Sequence, residues 1–233
     1  MTRQSPIFCA IDTPDAIQAV SLASHLKGCV GGLKFGLEYV MSNGPQGVVP
    51  FKGFGMDIFL DVKLHDIPNT VAGAISSLLP IEPDFITIHT SGGPAMMQAA
   101  AEAAAKAKGK RPKLLGVTVL TSLDTEDLKK VGQHPNTTEQ VERLALLAKD
   151  SGLDGIVCSS AEVAPLRKAL GPDMVLMVPG IRPAWAAAND QKRIMTPRDA
   201  IDAGATYLVI GRPITKADDP TEAARRINDE IFA

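Results

Sequence analysis

Asp12, Lys34, Asp61 and Lys63 each fall at or near the end of an apolar, strand-like run, and Asp66 follows three residues after Lys63. If those runs pair in order, neighbouring strands lie about 4.8 Å apart. The four side chains then form a row of alternating sign: Asp, Lys, Asp, Lys. Each lysine sits between carboxylates and keeps its charge despite partial burial. A fixed ammonium in such a place can stabilise negative charge as it develops and can give up a proton. Two other readings fit the same residues. One is a structural ion-pair network, although buried pairs are weak stabilisers. The other is a divalent metal held by Asp12, Asp61 and Asp66, with the two lysines already in the cation positions.

A second chemistry is written later in the chain. Gly180-Ile-Arg-Pro183 and Gly211-Arg-Pro213 each follow an apolar run. Glycine allows close backbone approach, arginine adds a forked cation, and Pro213 can open a short helix whose N-terminus favours anions. Together these suit a phosphate. Arg182 and Gln191 lie on a long irregular segment, 180–196, that can close over it. Trp185 on that segment is expected to pack there rather than to stack on a ligand.

The elements that must position these groups follow from periodicity. In 57–64, Ile58, Leu60, Val62 and Leu64 share one strand face, and Phe59, Asp61 and Lys63 share the other. Charges on an otherwise apolar strand are costly unless paired, so the strand must end where a pocket opens. His65, Asp66 and Ile67 form a turn. Pro68 then starts a helix carrying Val71, Ala74, Ile75, Leu78 and Leu79 on one side. Further strands are predicted at 7–12, 29–36, 85–90, 113–120, 155–159, 174–179 and 207–211. Helices are predicted at 15–26, 95–108, 138–150 and 161–170, with a last one capped by Asp219. Eight strands alternating with helices in 233 residues predict a single-domain (β/α)8 barrel, a TIM barrel spanning 1–233, over an open doubly wound sheet.

Composition narrows the partners. A formal net charge of −2 gives no reason to expect nucleic acid or an anionic membrane surface. No apolar run reaches the length of a membrane span, and the start, Met1-Thr-Arg-Gln-Ser, reads as having no signal peptide. Cys9, Cys29 and Cys158 are scattered and odd in number, which fits buried thiols in a reducing cytoplasm. The spacing of His25, His65, His89 and His134 suggests no zinc site. His89 is expected to be structural, His65 a turn residue, and the other two surface positions.

Asp61-Val-Lys-Leu-His-Asp-Ile-Pro-Asn-Thr70 resembles the signature of orotidine 5′-phosphate decarboxylases of the bacterial kind. The resemblance continues through Phe8–Asp12, Leu33–Gly36, Val119–Ser122, Pro179–Pro183, Asp190–Pro197 and Val209–Pro213. The Asp-x-Lys-x-x-Asp core is shared with metal-using sugar-phosphate enzymes, whereas the His-Asp-Ile-Pro-Asn-Thr continuation is more specific. The resemblance implies that Lys63 protonates C6 of the pyrimidine as carbon dioxide leaves, with no cofactor and no metal. It implies that Asp61 and Asp66 flank the reacting carboxylate, and that Asp66 and Thr70 reach across a homodimer interface into a shared active site. Asp12 and Lys34 would hold the ribose. Thr121 and Ser122 would lie by the pyrimidine, with Ile67 and Pro179 also in contact with substrate. Arg182, Gln191, Gly211 and Arg212 would bind the phosphate. The alternatives are a metal-dependent sugar-phosphate decarboxylase or aldolase on the same barrel, and a catalytically silent phosphate-binding or scaffold protein.

Overall fold

The computed structural model describes residues 5–186 and 195–233. Eight parallel strands close into a barrel in sequence order: β1 (Ile7–Ala10), β2 (Gly32–Phe35), β3 (Asp57–Leu64), β4 (Phe85–His89), β5 (Lys113–Val117), β6 (Gly155–Val157), β7 (Val175–Pro179) and β8 (Tyr207–Ile210), with β8 returning to pair with β1. Closure leaves no sheet edge. The helices outside include α1 (Ala16–Leu26), α2 (Leu37–Asn43), α3 (Pro68–Leu78), α4 (Pro94–Ala104), α5 (Thr125–Lys130), α6 (Thr137–Asp150), α7 (Val163–Leu170), α8 (Pro197–Asp202), α9 (Arg212–Thr215) and α10 (Pro220–Phe232). No helix among the described residues is long and apolar enough to cross a membrane.

Strand alternation splits the apolar residues into two cores. Ile7, Cys9 and Ile11, with Ile58, Leu60, Ile86 and Ile88, face the helices. Phe8, Ala10, Phe59, Phe85, Leu115, Val175, Met177 and Val209 fill the barrel. Phe8 stands edge-on to Phe85 and Tyr207, with centroids 5.4 and 5.3 Å away. Gly32 makes room for this floor, since a Cβ there would lie 2.1 Å from the Phe8 ring. Below it, side chains tie the lower strand ends together. Asp84 accepts the Ile58 N–H and pairs with Lys110, and Asp154 accepts the Leu114 N–H while holding Arg111 in a fork of 2.8 and 3.1 Å. Arg167 of α7 donates to the carbonyls of Gly171, Met174 and Gly204. With the floor closed by aromatic rings, the upper end is left to hold a ligand.

The predicted strands run longer than the observed ones, mostly at their ends. The stretch 29–36 becomes strand only at Gly32, since Cys29 still belongs to the turn after α1 and Gly31 to a bend, and 113–120 stops at Val117, with a bend at Val119. Several helices give weak or no periodic signal. After β2 the chain makes α2 and then a 3₁₀ run, Pro45–Phe54, where prolines and glycines interrupt any apolar stripe. α5 has only six residues, yet its Asp124/Asp127 capping box marks its start.

The free cysteines are all buried, and burial pushes the Cys9 and Cys158 thiols far above the ordinary range, which disfavours their thiolates.

Candidate active site

β1, β2 and β3 present Asp12, Lys34, Asp61 and Lys63 side by side at the upper rim. Lys34 Nζ lies 3.2 Å from Asp12 Oδ1 and 3.8 Å from Asp61 Oδ2, and Lys63 Nζ lies 2.8 Å from Asp61 Oδ1. The predicted row of alternating charge is therefore present, with Asp61 bridging the two ammonium groups. The inner members are the more desolvated: side-chain exposure is 11% for Lys34 and 14% for Asp61, against 57% for Asp12. Charge fixed at this depth acts through a lower effective dielectric than it would in water. Gly36 keeps the row open, since a Cβ there would stand 2.9 Å from Lys34 Nζ.

The backbone carrying Lys63 is not regular strand. Between β3 and β4 the pairing steps from Leu60↔Ile86 to Leu64↔Ile88, a bulge that places Asp61, Val62 and Lys63 opposite Thr87 alone. Lys63 takes φ +48°, in the left-handed region that non-glycine residues rarely occupy. Such bulges re-aim side chains at functional rims. The strict alternation read from sequence holds as far as Leu60 and then gives way to this turn of the backbone.

These charges form one wall of a cavity of about 340 Å³. That volume suits a small molecule. Phe59 and Ala10 floor it, and Val117, Val119, Leu120 and Thr121 come from β5 and beyond. Ser159 and Cys158 come from the end of β6. Pro179, Gly180 and Arg182 after β7, with Gly211 and Arg212 after β8, complete the rim. Arg182 is buried, donates to the Ile181 carbonyl at 3.0 Å, and takes its backbone partner from Met195 across the loop. Gly211 passes close to the charged row: a Cβ there would lie 3.8 Å from Asp12 Oδ2. A cation-rich end and an Asp/Lys row thus share one cavity.

Of the residues singled out by sequence, the cavity gathers Asp12, Lys34, Asp61, Lys63, Thr121, Pro179, Arg182, Gly211 and Arg212. Among the described residues, its wall does not include Asp66, Ile67, Thr70 or Ser122. Asp66 is exposed in the turn before α3, where its Oδ1 accepts the Ile67 N–H at 2.6 Å, and Ile67 is 67% exposed. Gln191 lies outside the described residues. Trp185 is 40% exposed, with the Arg226 guanidinium of α10 4.4 Å from its ring centroid. His89 is half-buried, its ring 5.3 Å from that of His65. Burial, then His65 and Lys63, hold its pKa below the usual histidine value.

Sequence reasoning missed Ser159 and Thr87. Ser159 stood at the end of a predicted strand, a position that lines such cavities. Thr87 is the polar residue of Phe85-Ile-Thr-Ile-His, in phase with Phe85 on the inner face, and is fully buried. Among the described residues, no group of three or more His, Cys, Asp or Glu side chains is gathered to hold a metal ion. Asp12, Asp61 and Asp66 form no such set, because Asp61 is engaged by two lysines while Asp66 turns outward.

Comparison with known proteins agrees with this geometry. Residues 5–227 match the model of the "Orotidine 5′-phosphate decarboxylase / HUMPS family". The chain is 52% identical over 231 residues to an orotidine 5′-phosphate decarboxylase of Paramagnetospirillum magneticum, covering 97% of this chain and 98% of that protein. It is 50% identical to one of Gluconobacter oxydans, covering 99% of each. The crystal structure of the orotidine 5′-phosphate decarboxylase of Lactobacillus acidophilus superposes with a TM-score of 0.88 at 35% identity, covering 99% of this chain and all of that one. With a closed barrel, an Asp/Lys row at its rim and a match that runs almost end to end, this chain belongs to the orotidine 5′-phosphate decarboxylase / HUMPS family.

Proposed function

We propose that this chain decarboxylates orotidine 5′-phosphate to uridine 5′-phosphate, a step of pyrimidine nucleotide synthesis, using Lys63 as the proton donor and no cofactor. The observation that carries this reading is the Asp12–Lys34–Asp61–Lys63 row, set in the same cavity as Arg182 and Arg212. In this reading the phosphate takes the rim of Gly180, Arg182, Gly211 and Arg212, with Gln191 from the loop. Asp12 and Lys34 take the ribose. The pyrimidine lies by Thr121, Ser122 and Pro179, with Ile67 reaching it from the neighbouring subunit.

The reaction breaks the bond between C6 and its carboxylate, leaving the electron pair on C6. Carbon dioxide departs, a proton from the Lys63 ammonium goes to C6, and Lys63 later regains a proton from solvent. The carbon cannot delocalise the pair easily, so the site must stabilise it. Repulsion between Asp61 and the substrate carboxylate is too small to be the main cause. Two anions about 4 Å apart repel by about 4 kcal/mol at an effective dielectric of 20. Enzymes commonly remove roughly 8–23 kcal/mol from a barrier. The larger share falls to Lys63, charged and fixed before reaction, facing the carbon where charge develops. Asp61 and the bulged backbone hold it there. The test is direct: purified protein given orotidine 5′-phosphate should deplete its absorbance and yield uridine 5′-phosphate and carbon dioxide in equal amounts. No uridine 5′-phosphate at high enzyme concentration overturns the reading.

The proposal includes a symmetric homodimer with two composite sites. It is supported by the outward placement of Asp66, Ile67 and Thr70, which fits residues that serve a neighbouring subunit's cavity. Mixing inactive Asp66→Ala and Lys63→Ala subunits should create hybrid dimers with one site free of both changes. After full exchange, roughly one quarter of wild-type activity should return, since half the dimers are hybrids with one good site each. Mixtures that stay inactive after verified subunit exchange would end the shared-site idea.

A further inference from the structure

Thr87 is buried in the barrel wall directly beneath the reacting lysine. Phe85, two residues earlier, belongs to the barrel interior, and strand alternation puts Thr87 on the same face. A hydroxyl is costly in that position unless its bonds are made. Both are made. Thr87 Oγ1 accepts the Lys63 backbone N–H at 2.9 Å and donates to Asp61 Oδ1 at 3.0 Å. A hydroxyl has one proton and two lone pairs, so both bonds hold at once.

The bulge explains why such a group is needed. From Leu60 to Leu64, β3 advances four residues while β4 advances only two, from Ile86 to Ile88. The β4 backbone cannot serve every residue of the longer segment, and Lys63 is turned to φ +48°. Its N–H finds the Thr87 side chain in place of a ladder carbonyl. The same oxygen fixes the carboxylate that holds the Lys63 ammonium at 2.8 Å. Main chain and side chain of Lys63 are thus tied to a single atom, one through a direct bond and the other through Asp61.

We propose that Thr87 is a positioning residue, whose hydroxyl substitutes for the strand ladder at the bulge and holds Lys63 and Asp61 as one rigid unit aimed at the reacting carbon. The proposal rests on the reading of Lys63 as the reacting group. The hydroxyl acts on the rate and not on substrate affinity, since Thr87 is buried and does not line the cavity.

The test compares Thr87→Val, which keeps the shape and removes the hydroxyl, with Thr87→Ser, which keeps the hydroxyl. With orotidine 5′-phosphate, Thr87→Val should lower kcat about ten- to a hundredfold, with KM changed by less than about threefold. Thr87→Ser should recover kcat to within about threefold of wild type. A purely structural role would lower active protein without this split and without rescue by serine. If Thr87→Val does not fold, Thr87→Ser and Thr87→Ala repeat the comparison at smaller volume, and the alanine variant should be at least about tenfold slower. An active wild type with kcat unimpaired in Thr87→Val, or equal in the serine and alanine variants, overturns this proposal alone. A wild type that does not turn over orotidine 5′-phosphate overturns the functional reading and this proposal with it.

Discussion

Lys63→Ala should leave a folded protein with no measurable turnover of orotidine 5′-phosphate. The expected loss is at least about 10⁴-fold, because one residue supplies both a proton, worth roughly 10²–10⁴, and a charge placed where anion develops, worth roughly 10²–10³. Folding should survive. Asp61 keeps Lys34 at 3.8 Å and the Thr87 hydroxyl at 3.0 Å, so the carboxylate is not abandoned. The Lys63 side chain is partly exposed and contributes little to the apolar core. Circular dichroism and a thermal melt establish the fold, and expression in a host lacking its own decarboxylase removes background activity. Activity above about one per cent of wild type at neutral pH would mean that Lys63 is not the proton donor.

The second large effect concerns the far end of the substrate. Arg182, Gly211 and Arg212 gather on the rim after β7 and β8, while the Asp/Lys row is carried by β1 to β3. Binding energy from such a remote group can be used for closure and ordering that the reacting centre needs. Orotidine lacking its phosphate should therefore be a very poor substrate in kcat/KM. Arg212→Ala should lower kcat/KM for the phosphorylated substrate by roughly ten- to a hundredfold, the effect of losing one charge-assisted contact. The same change should leave the phosphate-free substrate nearly unaffected, because that substrate has no phosphate for Arg212 to contact. Four kcat/KM values, from two proteins and two substrates, make the check. Equal fractional losses on both substrates would mean that Arg212 does not act through the phosphate.

Much of this site could be read from the chain because its parts obey simple periods. Asp12, Lys34 and Asp61 each interrupt an apolar strand near its end, and parallel pairing then places them in a row. The glycine–arginine–proline steps after β7 and β8 reveal the cation-rich rim in the same way. What escaped was non-local. The bulge at Asp61–Lys63 depends on how β4 pairs with β3, and no period in either strand encodes it. Thr87 reads as an ordinary β-branched strand residue until its hydroxyl is seen between Lys63 and Asp61. The short helices α2 and α5 have too few turns to write an apolar stripe, and prolines and glycines interrupt one in the 3₁₀ run after β2. Asp66 and Ile67 were legible as a turn before α3, and neither lines the cavity that holds the Asp/Lys row.

In the proposed mechanism, charge carried by the polypeptide itself, on Lys63 beside Asp61, drives the decarboxylation. Lys34 and Lys63 already engage both oxygens of Asp61, so a divalent cation has to displace them to bind that carboxylate. The most direct measurement is the initial rate of orotidine 5′-phosphate loss before and after exhaustive chelation of the same enzyme preparation. An unchanged rate, with uridine 5′-phosphate as product, is the expected result. A collapse of the rate that added magnesium restores would contradict it, and would point instead to a metal-dependent enzyme on this barrel.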